Sequence, residues 1–143
     1  MAEPKFEYTI VPFVDYGFMW VTFSGPIGMG RLGKAHEQFL QHPDFKPGID
    51  ELLDFSAASL EQLGRSDFEQ LRLYMRDQTD RHGSRSVLVV NTRLEYGLIR
   101  MMDGMLATEA PVDRALFYTL PEALEWLHPG KSDLLLDEYS RRT

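Results

Sequence analysis

The chain has 143 residues, of which 43% are hydrophobic and 12% aromatic, enough to bury roughly 68–70% of the unfolded surface as a ~150-residue domain does. Fifteen Lys and Arg stand against 22 Asp and Glu, a net charge of −7, which argues against a binder of the nucleic-acid backbone, a role that calls for a basic stripe. Cysteine is absent, and with it disulfides, thiolate catalysis and Cys-ligated metal sites. The N-terminus lacks a basic segment leading into an apolar one, and no apolar run approaches the ~18 residues of a membrane span, so a soluble, cytoplasmic chain is expected.

In chain order, Phe6 to Val11 and Phe18 to Phe23 alternate aromatic and β-branched residues around Asp15-Tyr16-Gly17, which predicts a β-hairpin. The period then changes. Leu32, Ala35, His36, Phe39 and Leu40 recur at three and four, the stripe of a core-facing helix, which His42-Pro43-Asp44 and Pro47-Gly48 end. A short strand is expected from Ile49 to Phe55, followed by Ser56-Ala57-Ala58-Ser59. A second helix carries Phe68, Leu71, Tyr74, Met75 and Gln78, opened by the capping pair Ser66 and Glu69 and closed by Gly83.

Ser86 to Val90 is a continuous apolar run of the kind buried on both faces of a parallel sheet, and it is read as the central strand. Thr92 and Glu95 form another capping box, opening a third helix whose predicted apolar face is Leu94, Leu98, Met101, Met102 and Met105. Val112 to Tyr118 is a last strand, Thr119 to Glu122 starts a short helix, and Pro129-Gly130 stops it. Residues 1–130 thus read as one α/β domain: an N-terminal hairpin, then βα repeats, about five strands and four helices in a mixed sheet with one antiparallel edge. Residues 131–143 form a tail with Leu134, Leu135, Leu136 and Tyr139, a short docked helix and a candidate surface for a homodimer.

Phe23-Ser24-Gly25-Pro26, then a helix, then His42-Pro43-Asp44-Phe45-Lys46-Pro47-Gly48 resembles the signature of the SpoIIAA-like, or STAS-like, bacterial proteins. Leu53-Asp54, Tyr96-Gly97-Leu98-Ile99-Arg100-Met101 and Glu122 to Leu127 agree with it, and the likeness runs from Phe6 to Leu127. The resemblance implies the fold of anti-sigma-factor antagonists and of transporter STAS domains, which are partner-binding or sensory modules rather than enzymes. Their switch is a phosphorylatable serine at the start of the second helix, in an Asp-Ser-Ser-Gly-like motif. The corresponding stretch here, Asp54 to Ser66, lacks that motif. The related Sec14-like folds bind lipids.

Asp54, Ser56 and Ser59 are expected at the carboxyl end of one parallel strand and Asn91 and Thr92 at that of the next, where α/β sheets form a ligand crevice. A helix N-terminus beside them would suit an anion, with Ser56 and Ser59 as candidate phosphorylation sites. The competing reading of the same residues is turn and capping chemistry. Gly97, inside a helix, implies either a closely packed backbone or a recognition surface of Tyr96 and Arg100, four apart. Gly28-Met-Gly-Arg-Leu-Gly33 matches the dinucleotide fingerprint in pattern, but Ser24 to Ile27 separates it from the strand, and it reads as a glycine-loosened helix start. The methionine stripe reads as adaptable core, with a ligand groove as the minority alternative.

His36, His42, His82 and His128 are scattered without metal-ligand spacing, and there is no Gly-x-Ser-x-Gly elbow. The expectation is a non-enzymatic STAS-like module with no cofactor and no metal, acting on a protein partner or a small ligand through Asp54, Ser56, Ser59, Asn91, Thr92, Tyr96 and Arg100. The alternative is a binder of a nucleotide or lipid-like molecule, with or without weak chemistry.

Overall fold

Alternating apolar residues at the N-terminus build two strands with one face each to either side of a sheet. The computed structural model describes residues 5–67, 69, 84–106 and 113–143. β1 (Glu7–Phe13) and β2 (Phe18–Pro26) pair antiparallel from Glu7↔Ser24 to Phe13↔Phe18, joined by a 3-10 turn (Val14–Tyr16) that Gly17 closes at φ +71°. α1 (Met29–Gln41), β3 (Asp50–Ser59), β4 (Arg85–Val89), α2 (Arg93–Leu106), β5 (Asp113–Phe117), α3 (Leu120–Leu127) and α4 (Ser132–Arg142) follow. Of the predicted second helix, Ser66 and Glu69 at its start are helical, while Phe68, Leu71, Tyr74, Met75, Gln78 and Gly83 lie outside the described residues.

The strand order is β1-β2-β3-β4-β5, with every pair parallel except the hairpin. This is the mixed sheet with one antiparallel edge that the alternation of elements predicts. The centre, however, is β3 and not the apolar run of β4. Burial on both faces marks any interior strand, and β4, between β3 and β5, satisfies it without being the middle one.

β3 is also longer than its apolar segment. Ser56 to Ser59 continue the strand, pairing Ser24↔Ala57, Gly25↔Ala58 and Pro26↔Ser59 beyond an irregularity at Thr22/Ser24. Serine and alanine are poor strand formers, and cross-strand pairing overrides them here. Gly25 lets the edge close over this end: its φ is +82°, and a Cβ there would lie 2.3 Å from the Lys5 carbonyl oxygen.

Each sheet face carries its own core. On one, Val21, Phe23, Phe55, Leu88 and Leu116 meet Ala35 and Phe39 of α1 and Ile99 and Met102 of α2. On the other, Phe18, Trp20, Leu52, Val87 and Val89 meet Ala123, Leu124 and Leu127 of α3 and Leu135 of α4. α4 is fixed by Tyr139, whose ring stacks on Trp20 at 4.0 Å and whose hydroxyl bonds Thr22 Oγ1 at 2.7 Å. At the start of the strands, Asp50 receives the Arg85 backbone N–H at 2.7 Å and its guanidinium at 3.0 and 2.9 Å.

Candidate functional site

The residues singled out from the sequence come together in two groups. Asp54 is buried within β3, and its Oδ1 accepts from the Ser56 N–H at 2.9 Å. Asn91, just past β4, donates from Nδ2 to the carbonyls of Phe55 and Ala58, both at 3.1 Å, and so ties the end of β4 to the end of β3. Thr92 Oγ1 accepts from Glu95 N at 3.1 Å, while Glu95 Oε1 accepts from Thr92 N at 3.2 Å, the reciprocal capping box its spacing implies. Ser59 Oγ accepts from Glu61 N, and its carbonyl accepts from Ile27 N.

Glu95 is the residue that sequence reasoning undervalued. Besides Thr92, its carboxylate accepts from Asn91 N at 3.0 Å and Leu60 N at 2.9 Å, and the residue is only 1% exposed. A carboxylate therefore already occupies the position where these amides would hold a phosphate. Ser56 lies within β3 and Ser59 is its last residue, so both stand on the strand rather than at a helix start. The strand-end cluster is built of caps and turns, with an open surface groove beside it lined by Lys5, Glu7, Ser56, Ser59, Gln62 and Asn91.

The inward turn of Glu95 also sets the rotation of α2. With Glu95 inside, Ile99 and Met102 follow it into the core, at 5% and 4% exposure, whereas Leu94 and Met101 face outward at 57% and 49%. Of the apolar face expected along Leu94, Leu98, Met101, Met102 and Met105, Leu98 and Met102 thus pack on the core, whereas Leu94 and Met101 do not. The side chain of Met105 lies outside the described residues.

Tyr96 and Arg100 form the second group. The Arg100 guanidinium donates to Tyr96 Oη at 3.1 Å and lies 5.4 Å from its ring centroid, and that hydrogen bond raises the Arg100 pKa. On the other side Tyr118, half exposed and absent from the expected set, stacks on Tyr96 at 5.6 Å. Gly97 is exposed between them, and no described atom lies within 4 Å of a Cβ built there, so the close-packing reading of this glycine has no support. Gly30 and Gly33 lie inside α1 with equally open surroundings, and Gly28 is its N-cap.

An apolar cavity of ≈ 100 Å³ lies between the sheet and the two helices α1 and α2. Val21, Phe23, Leu88, Ala35, Ile99 and Met102 contribute to its walls, and Gly33 borders it. Its polar wall is Glu51, Arg114 and His36. Ser86 donates to Glu51 Oε1 at 2.9 Å, and Arg114 donates from Nη1 to Asp103 Oδ1 at 2.9 Å. Burial pushes the Asp103 carboxyl up, against the pull of Arg114 and Arg100. Among the described residues, no three His, Cys, Asp or Glu side chains are grouped to hold a metal. No described helix is long and apolar enough to cross a membrane.

No family model and no curated protein matches the chain. Among solved structures it is similar to an uncharacterised DUF3478-family protein with a SpoIIAA-like fold from Shewanella loihica PV-4, at a TM-score of 0.52 and 17% identity, covering 89% of this chain and 97% of that one. The chain has the SpoIIAA-like fold, as its motifs indicate.

Proposed function

We propose that this chain is a non-enzymatic STAS-like module that takes a small, largely apolar molecule into the cavity beneath α1 and α2. The cavity itself carries the reading. Protein interiors are packed to crystal density, and a space of this size walled mainly by apolar side chains forfeits their contacts unless something fills it. The strand-end cluster supports a ligand less well, because Glu95 and Asn91 already satisfy the groups there.

Native mass spectrometry of protein gently purified from its own cells tests the proposal. The expected result is a noncovalent adduct lost on denaturation and absent from Gly33→Leu, whose side chain would grow into the cavity from an open position. An adduct of equal abundance in both proteins would contradict it.

A second reading, a protein partner on the outer face of α2, is favoured by the exposure of Leu94, Met101 and Tyr118 beside the Tyr96–Arg100 pair.

A further inference from the structure

β1 stands at one edge of the sheet, and among the described residues no strand pairs with its outer side. A bare edge offers N–H and C=O groups to any further strand. Pro12 shows which groups those are. It is opposite Met19 of β2 but has no N–H to give, so it stands where the backbone turns its polar groups outward. Alternation along the strand turns those of Tyr8 and Ile10 outward as well, whereas Glu7, Thr9, Val11 and Phe13 direct theirs at β2.

Ile10 is the middle residue of Glu7–Phe13. A second copy laid antiparallel on this edge, its Ile10 opposite the first, brings the whole strand into register and gives a closed twofold pair. Ile10 then exchanges both of its bonds with its counterpart, and the Tyr8 N–H donates to the Pro12 carbonyl of the other copy. Only the bond that each Pro12 would donate is missing. Opposed residues share a face of the sheet, so on one side Ile10 meets Ile10 and Tyr8 meets Pro12.

On the other side Glu7 comes opposite Phe13, and there the charges match. By alternation Glu7 points to the face of Val11 and Phe13, the face that α4 covers. The Arg142 guanidinium of α4 lies 4.8 Å over the Phe13 ring. Glu7 and Arg142 are both exposed, and among the described residues no opposite charge lies within ion-pair distance of either. The carboxylates bordering the groove beside Arg142 are Asp15, Asp44 and Glu138, of which Glu138 is bonded to Arg141. The same twofold brings Lys5, two residues before Glu7, toward Asp15, two residues after Phe13, a second match of opposite sign.

We propose that this chain forms a twofold dimer through the outer side of β1, joining two five-stranded sheets into one, with Glu7 of each protomer paired to Arg142 of its partner. The inference stands apart from the cavity, which no residue of β1 borders.

Sedimentation equilibrium of the full chain, with amide hydrogen exchange of the ¹⁵N-labelled protein, tests it. The expected result is a monomer–dimer equilibrium in which the amides of Tyr8 and Ile10 gain protection as concentration rises, while those of Thr9 and Val11 are protected throughout. Glu7→Arg and Arg142→Glu each turn two attractions into two repulsions and are expected to weaken the dimer about tenfold, and the double variant to restore it. A chain that stays monomeric at millimolar concentration overturns the inference, whether or not a strand of another protein takes the edge. A dimer whose Tyr8 and Ile10 amides exchange freely overturns it too, since it would use another surface. So do single variants that associate as well as the unaltered chain, or a double variant no better than either.

Discussion

Glu95 takes the amides of Leu60, Asn91 and Thr92 on one buried carboxylate, so the side chain that caps α2 also clamps the end of β3 to it. Removing it leaves three donors without their acceptor. Glu95→Ala is expected to cost about 2–4 kcal/mol in urea unfolding, with Glu95→Gln recovering part of the loss; a cost below about 0.5 kcal/mol would mean that water replaces the carboxylate. The Thr-x-x-Glu spacing made half of this legible, namely the reciprocal bonds within the cap. The bond to Leu60 was not legible, because it joins residues 35 apart. Arg114 was hidden for the same reason: in the sequence it is one charge in a short strand, and only the register shows it in a row with Ser86 and Glu51.

At the scale of elements, the clearest signals came from period and punctuation. Leu32, Ala35, Phe39 and Leu40 do face the core from α1, and the hairpin turns where Asp15-Tyr16-Gly17 predicts. The α2 stripe was right at Leu98 and Met102 and wrong at Leu94 and Met101, because periodicity counted every apolar residue, whereas a buried polar one, Glu95, fixes the helix's rotation. β3 was cut short because the pairing that extends it depends on β2. Gly30 and Gly33 give an element-scale prediction. Both sit inside α1 with open space where a Cβ would go, so Gly30→Ala and Gly33→Ala should each raise stability by roughly 0.7–1 kcal/mol, read as a higher unfolding midpoint. Destabilisation by either would show that these glycines serve something other than the helix.

For the whole molecule, the alternation of strands and helices was enough to indicate a mostly parallel sheet, and the motif order enough to indicate the SpoIIAA-like fold. The cavity was beyond reach, since each residue around it reads individually as core, and whether their volumes fill the space is settled only by packing. The measurement that bears most directly on the account is chemical-shift mapping of methyl groups under dissolved xenon, an uncharged probe that enters dry apolar cavities. The account predicts saturable shifts at Val21, Leu88, Ile99 and Met102, which surround the cavity, and their loss in Gly33→Leu. Shifts confined to the exposed Leu94 and Met101, with the cavity methyls unmoved, would contradict it and pass the function to the outer face of α2.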